Sequence, residues 1–298
     1  MSSTTSAEKQ TIAFIGLGIM GAAMAANLLK AGFPLHVSTR SPEKAALLVA
    51  AGAVLHDTAG AAAAEADVVI TIVGLPSDVE DVYFSQGGII ERARPGALLI
   101  DMTTSSPSLA TRIAEAAAQR GLDALDAPVS GGDIGAREGR LSIMVGGDVE
   151  AFERAMPVFA AMGTNIAHQG PAGAGQHTKM CNQIVIASTM LGVAESVAYA
   201  RAAGLDAAKV LGSIGTGAAG GFLLNALGPR MVDADYAPGF MIEHFAKDMS
   251  IAIAEAEAYG LDLVGLKASI QQYGRRLDAG DAREGTQAVI KSYDAPGQ

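Results

Sequence analysis

Ile12-Ala-Phe-Ile-Gly16-Leu-Gly18-Ile-Met-Gly21, running on through Ala22, Met24, Ala25 and Leu28 to Gly32, decides the fold of this chain. The four apolar residues before Gly16 read as a buried strand, and Met20 to Ala31 carries apolar residues at helical spacing. Between strand and helix stands G-x-G-x-x-G. Gly16 suits the tight turn, Gly18 lets a pyrophosphate approach the backbone, and Gly21 lets the helix pack closely. Phosphate oxygens would sit on the N–H groups that open the helix. With 36 glycines in 298 residues the pattern alone means little. The strand before it and the helix after it make Gly16, Leu17, Gly18, Ile19, Met20 and Gly21 the expected dinucleotide contacts.

Working outward, short apolar runs alternate with alanine-rich helical runs through the first half. Thr11 to Ile15, Leu35 to Val37, Asp67 to Val73, Ala97 to Asp101, Leu122 to Ala127 and Leu141 to Val145 read as strands. Met20 to Ala31, Pro42 to Ala51, Pro107 to Arg120 and a shorter stretch within Ala59 to Ala66 read as helices. This alternation predicts βαβ units on a parallel sheet. From about Gly173 the strand signals stop, and helices punctuated by Gly204, Gly215 to Gly221, Gly228-Pro229, Pro238-Gly239, Gly260 and Gly274 follow. The predicted division is residues 1–168, binding the dinucleotide, and residues 169–298, all-α, with the boundary at Gln169-Gly-Pro-Ala-Gly173.

Composition narrows the function classes. The 31 acids against 21 bases give a net charge of -10 without a basic stripe, which argues against a nucleic-acid partner. A single cysteine, Cys181, excludes an intrachain disulfide, suits a reducing compartment and reads as a core residue. The polar Met1 to Gln10 lacks a basic region followed by an apolar one, so a cytoplasmic location is expected. The uncharged run from Met180 to Ala194 contains Asn182, Gln183, Ser188 and Thr189 and is shorter than the roughly 18 to 20 residues of a span, so a core helix and no membrane association are expected. The five histidines lack metal-ligand spacing, and no metal site is expected.

Four further segments carry chemistry. At the end of the second strand, where NAD-binding folds usually place an acid, this chain has Val37-Ser38-Thr39-Arg40-Ser41. A guanidinium at Arg40, helped by the hydroxyls of Ser38, Thr39 and Ser41, suits the 2′-phosphate of NADP, so NADP is expected over NAD. Asp126-Ala-Pro-Val-Ser130-Gly131-Gly132 follows a strand, and its small residues let successive N–H groups turn inward with the serine hydroxyl to hold an anion such as a substrate carboxylate. The segment lacks the G-x-S-x-G pattern of a nucleophilic serine. In Gly173-Ala-Gly-Gln-His-Thr-Lys179-Met-Cys-Asn182, lysine and asparagine lie one helical turn apart on one face. The apolar helix desolvates the ammonium, which favours its neutral form and suits a general acid/base. His177 points away from Lys179 and reads as structural. Lys247, early in a helix, is a second cation for an anionic substrate, or more simply a solvated surface lysine, with Asp248 able to pair with a neighbour.

With these segments in place, the chain resembles the β-hydroxyacid dehydrogenase family, which includes 3-hydroxyisobutyrate dehydrogenase, tartronate semialdehyde reductase and the glyoxylate/succinic semialdehyde reductases. The resemblance runs from Phe14-Ile-Gly-Leu-Gly-Ile-Met-Gly21 to the helix near Tyr293. It implies an α/β fold: a Rossmann-type dinucleotide-binding domain joined by a long helix to an all-α C-terminal domain, assembled as a homodimer or homotetramer. It implies Lys179 as the catalytic lysine, Asn182 as the orienting asparagine, Ser130, Gly131 and Gly132 as the carboxylate loop, and Lys247 as the second lysine, facing substrate and cofactor. The nicotinamide-side loop matches Asp101-Met-Thr103-Thr104, and a cofactor-contacting turn matches Gly74-Leu75-Pro76. Phe222, in Gly217-Ala-Ala-Gly-Gly-Phe222-Leu-Leu-Asn225, is expected at the substrate's variable end.

The resemblance implies hydride transfer between NADP(H), with NAD as an alternative, and a small acid of the tartronate semialdehyde, 3-hydroxyisobutyrate or succinic semialdehyde type. Three alternatives stay open. They are a β-hydroxy amino acid dehydrogenase acting on serine or a phenylserine-like compound, an imine reductase-like enzyme, and a non-catalytic NADP(H)-binding sensor. The presence of Lys179 argues against the last two.

Overall fold

The structure, a computed structural model, describes residues 9–293. Residues 1–8, which carry most of the segment read for cellular location, lie outside them. The chain falls into two compact units, Met1–Lys179 and Met180–Gln298.

In the first unit, β1 (Ile12–Ile15) leads into α1 (Ile19–Lys30), then β2 (Leu35–Ser38). A 3-10 turn at Pro42–Ala45 precedes α2 (Ala46–Ala50), β3 (Val54–His56), α3 (Ala59–Ala63) and β4 (Val68–Thr71). Next come α4 (Pro76–Phe84), α5 (Ile89–Arg92), β5 (Leu98–Asp101), α6 (Pro107–Ala118) and β6 (Asp123–Asp126). The unit continues through β7 (Val129–Ser130), α7 (Gly132–Glu138), β8 (Leu141–Gly147), α8 (Val149–Phe159) and β9 (Gly163–Gly170) into the first turns of α9 (Ala174–Ala202).

The sheet order is β3-β2-β1-β4-β5-β6-β8-β7, with β9 on β8. From β3 to β6 every pairing is parallel, with Ile12 beside both Leu35 and Val68 and Leu98 beside both Val68 and Asp123. Beyond β6 the expected all-parallel sheet is corrected, because β8 runs antiparallel to β6 and β7 and parallel to β9. Between β6 and β7 the chain passes only Ala127 and Pro128, so the two short strands lie along one edge of β8. Proline supplies no ladder N–H at that break.

Strand alternation divides the core. Ile12, Phe14, Val68, Ile70, Leu98 and Ile100 point to one cluster; Ala13, Ile15, Val69 and Leu99 point to the other. Central strands covered by helices on both faces read as unbroken apolar runs, which is why these were visible in the sequence. The three strands without such a signal are β3, β7 and β9. Val54 and Leu55 are exposed on the edge strand β3, β7 has two residues, and β9 is a polar strand reading Gly-Thr-Asn-Ile-Ala-His-Gln-Gly.

The second unit is helical. The rest of α9 is followed by α10 (Ala207–Ile214), α11 (Phe222–Val232), α12 (Ile242–Ala258), α13 (Val264–Asp278) and a 3-10 helix at Thr286–Ser292. Met190, Val193, Ala194 and Val197 of α9 pack with Leu224, Met231, Phe245, Met249 and Tyr273. The apolar run read in the sequence is only part of α9, which at 29 residues is long and apolar enough to cross a membrane by length and composition. Cys181, read as core, is exposed; it falls between the buried Met180 and Gln183 on the helix surface.

Candidate active site

The sheet order reverses between β1 and β4, and in open α/β sheets ligands bind outside the carboxyl ends of strands at such a point. Gly16 follows β1 with φ +99°, and a Cβ there would stand 2.2 Å from the Ile72 carbonyl oxygen. A Cβ on Gly21 would stand 2.0 Å from the Gly16 oxygen, so helix and turn close on each other only without side chains. Gly18 differs, since a Cβ there would meet nothing within 4 Å. Gly18 is the N-cap of α1 and supplies no capping side chain. The N–H groups of the first helical turn are therefore left for another acceptor. Open space over uncapped donors fits a dinucleotide pyrophosphate.

The end of β2 presents Thr39, Arg40 and Ser41. Thr39 Oγ1 accepts the Ser41 N–H at 3.3 Å. Arg40 is exposed, and its Nη1 donates to Asp78 Oδ1 at 2.8 Å. Ser38, expected to add its hydroxyl, is buried as the last residue of β2. After β4, Leu75 is the N-cap residue and Pro76 the first residue of α4; Asp78 Oδ2 accepts the Leu75 N–H at 3.0 Å.

The loop after β5 is tied down from two sides. Asp101 Oδ1 accepts from Thr71 Oγ1 at 2.7 Å and from the Thr103 N–H at 3.1 Å, and Thr103 Oγ1 accepts the Val73 N–H at 3.0 Å. Burial pushes the Asp101 carboxyl up to about 6, against the pull of these hydrogen bonds. Burial also pushes the nearby Tyr83 phenol well up, and the Asp101 charge adds to it.

A raised folded-state pKa means a stability contribution present below the unfolded value near 3.8 and lost as pH rises through about 6. Asp101→Asn keeps an acceptor for Thr71 and Thr103 but carries no charge. Its stability relative to the parent is therefore expected to rise between pH 4 and pH 7, by roughly 2–3 kcal/mol at full effect. Denaturant unfolding of both proteins across that range checks this, and a pH-independent difference would refute it.

Asp126, at the end of β6, and Gln176 were not singled out from the sequence. Asp126 accepts the Gly173 N–H on Oδ1 and the Gln176 N–H on Oδ2, both at 2.8 Å, and so anchors the start of α9. Burial pushes its carboxyl up, and those two N–H groups pull it back. Gln176, fully buried, accepts the Ser105 N–H at 3.0 Å and donates to the Thr103 carbonyl at 2.7 Å. The first turn of α9 is thus bonded to both β6 and the loop after β5. An acid closing an apolar strand, as in Leu-Leu-Ile-Asp101 and Leu-Asp126, is the signal that marks such anchors.

One turn further along α9, Lys179 is 6% exposed and its Nζ donates to the Val129 carbonyl at 2.9 Å. Val129 immediately precedes Ser130, Gly131 and Gly132. The segment is a strand-to-helix passage rather than the loop expected, with Ser130 paired to Ser142 in the sheet and Gly132 opening α7. Gly131 at φ +135° and Gly132 at φ +64° make the reversal that aims their N–H groups. The structure therefore brings the lysine and the Ser130-Gly131-Gly132 turn together within the first unit.

In the second unit, Asn182 donates to Gln183 Oε1 at 2.6 Å, and Gln183 donates to Asp248 Oδ2 at 2.6 Å. Lys247 forms an ion pair with Asp248 Oδ1 at 2.9 Å. Lys247 is not the solvated surface lysine of the simpler expectation, since only 15% of its side chain is accessible; the neighbour with which Asp248 pairs is Lys247. The buried Asp248 links the two motif residues Asn182 and Lys247. Phe222 opens α11 and is 73% exposed.

The histidines, read as scattered, include one close pair. His36 of β2 and His56 of β3 stack with Nδ1 and Nε2 2.7 Å apart. Burial lowers the His36 pKa, and His56 lowers it further.

Comparison with known proteins places both halves. Residues 11–170 match the family described as the NAD binding domain of 6-phosphogluconate dehydrogenase. Residues 173–293 match the family described as NAD-binding of NADP-dependent 3-hydroxyisobutyrate dehydrogenase. The chain is 56% identical to the uncharacterized oxidoreductase YkwC of Bacillus subtilis over 96% of this chain and 99% of that protein. It is 42% identical to an NAD-dependent L-serine dehydrogenase of Pseudomonas aeruginosa over 95% of this chain and 97% of that protein. A structure of Mycobacterium tuberculosis 3-hydroxyisobutyrate dehydrogenase with L-serine superposes with a TM-score of 0.87 at 34% identity, covering 96% of this chain and all of that one.

Proposed function

Because the chain belongs to the β-hydroxyacid dehydrogenase family and is an NAD(P)-dependent oxidoreductase, we propose that it interconverts a small β-hydroxyacid and its semialdehyde with NADP(H) as the preferred cofactor. The observation that carries this reading is the Lys179 ammonium, buried and hydrogen-bonded to the carbonyl next to Ser130. A proton donor beside an anion-holding turn suits a substrate that bears a carboxylate one or two carbons from the reacting oxygen.

The nicotinamide, when bound, supplies or accepts the hydride. Gly16 to Gly21 hold the pyrophosphate, Thr39, Arg40 and Ser41 the adenosine end, and Leu75, Pro76, Thr103 and Thr104 the remainder of the dinucleotide. Ser130, Gly131 and Gly132 bind the substrate carboxylate. In the reducing direction Lys179 donates a proton from Nζ to the substrate carbonyl oxygen; in oxidation it takes the hydroxyl proton. Asn182 orients the reacting oxygen, Lys247 adds positive charge for the anionic ligands, and Phe222 meets the substrate's variable end. Gln176 and Asp126 keep Lys179 in register by anchoring the helix on which it stands.

Turnover of tartronate, methylmalonate and succinic semialdehydes and glyoxylate with NADPH and NADH, and of 3-hydroxyisobutyrate and serine in reverse, tests the reading. Strong reduction of tartronate or methylmalonate semialdehyde supports it; reduction of glyoxylate or succinic semialdehyde alone, or silence across the aldehydes with serine oxidised, would overturn the substrate class. That second reading, a β-hydroxy amino acid dehydrogenase, is favoured by two similar proteins, one named as an L-serine dehydrogenase and one solved with L-serine. L-Serine shares the carboxylate and β-hydroxyl, so it suits the same lysine and turn.

For the cofactor, Arg40→Asp replaces a phosphate partner by a phosphate repellent. The expected result is about 10- to 100-fold weaker NADPH binding with little change for NADH, the scale of a lost charge-assisted hydrogen bond. Equal binding of NADPH before and after the change would make Arg40 a bystander.

A further inference from the structure

Arg40 follows the end of β2 with 84% of its side chain accessible, and its partner is an acid on a different element. Asp78 stands at the third position of α4, is 22% accessible, and divides its two oxygens between two tasks. Oδ2 accepts the Leu75 N–H, which closes the turn after β4. Oδ1 takes the Arg40 Nη1 at 2.8 Å. Because the first bond fixes the carboxylate to the turn, Asp78 cannot follow Arg40 if the guanidinium moves. The negative charge is built into the rim of the cofactor site, beside the guanidinium that a 2′-phosphate needs.

We propose that Asp78 is a specificity-determining residue for the dinucleotide, competing with the 2′-phosphate for Arg40 and so holding the enzyme's preference for NADP(H) below what Arg40 alone would give. This rests on the reading of Arg40 as the 2′-phosphate partner. A phosphate arriving at Arg40 must draw the guanidinium away from a carboxylate that already holds it. NADH, which has only a 2′-hydroxyl there, does not meet this cost. The pair is exposed, so the effect is modest, and it acts on one cofactor only.

Asp78→Asn keeps the size of the side chain and an oxygen for the Leu75 N–H while removing the charge, and Asp78→Gln provides a second neutral side chain. The expected result, from titrations of each reduced dinucleotide followed by its fluorescence, is about fivefold tighter NADPH binding, the upper scale of an exposed ion pair. NADH binding is expected to stay unchanged, which also reports that the variant is folded. In an Arg40→Ala background the same substitution is expected to leave NADPH binding unaltered. Weaker NADPH binding in Asp78→Asn, an equal change for both dinucleotides, or persistence of the gain without Arg40 would each overturn the inference. Arg40→Ala alone separates the two levels. If it fails to weaken NADPH, the reading of Arg40 fails; if it does weaken NADPH and neither Asp78 variant shifts selectivity, only the role of Asp78 fails.

Discussion

Replacement of Lys179 by alanine is expected to lower turnover by at least about 10²-fold while leaving NADPH binding intact, since a positioned general acid/base contributes that much or more. The side chain reaches its place through burial along an apolar helix, and its Nζ bonds the Val129 carbonyl beside the Ser130-Gly131-Gly132 turn. On the proposed mechanism, removing it takes away the proton donor and the positive charge that would face the forming alkoxide. The glycine-rich turn and Arg40 lie on other elements, so the contacts proposed for the dinucleotide are untouched. Single-turnover rates with saturating NADPH measure the effect without product release. Lys179→Arg sharpens the result. A guanidinium keeps the charge but stays protonated near neutral pH, so it cannot exchange a proton with substrate. Loss of activity in both variants supports proton transfer. Activity retained by the arginine variant would assign Lys179 an electrostatic task alone, and near-parental turnover in the alanine variant would remove the lysine from the chemistry.

The second large effect concerns how α9 is seated, and it contrasts two glycines of the same helix. Gly175→Ala is expected to destabilise the protein by about 1–3 kcal/mol, the scale of overpacking in a close-packed interior. A Cβ at this position would stand 2.4 Å from the Met144 carbonyl oxygen and 2.6 Å from that of Asp126. Both contacts are backbone, in β8 and β6, and neither can swing aside as a side chain would. The gain in helix propensity from glycine to alanine, about 1 kcal/mol, is too small to offset this. Turnover should fall with stability, because the helix can relieve the clash only by moving away from the strands that place Lys179. Gly192→Ala, seventeen residues along the same helix, is expected to do the opposite. A Cβ there meets nothing within 4 Å, so the propensity gain stands alone and stability should rise by about 1 kcal/mol. Denaturant midpoints for the two variants check both signs. Equal stability changes would mean that the seating of α9 against β6 and β8 does not constrain it.

Much of the candidate site is legible in the sequence because its parts are local. A strand, a G-x-G-x-x-G turn and a helix occupy contiguous residues, and the central strands declare themselves as apolar runs because both their faces are covered. Lys179 and Asn182 share a helix, so their spacing reads directly. The rest depends on residues far apart in sequence. Nothing near Arg40 announces Asp78, 38 positions away, or makes Gln176 the partner of Ser105, 71 positions before it. His36 and His56 meet only because β2 and β3 lie side by side. The short and polar strands β7 and β9 carry no periodic signal, since at the margin of a sheet few side chains need to be apolar.

By itself the sequence determined the class of this protein: an α/β unit with a dinucleotide turn, a helical unit after it, and a lysine and an Ser-Gly-Gly segment as the groups with chemistry to offer. These follow from periodicity and from glycine's freedom at a turn, both properties of short stretches. Only the tertiary structure decided where the lysine points, what holds its helix, and which acid shares the guanidinium at the cofactor rim. A buried carboxylate such as Asp126 is tolerated only where N–H groups from a distant segment meet it, and burial of polar groups is settled by the packing of the whole chain.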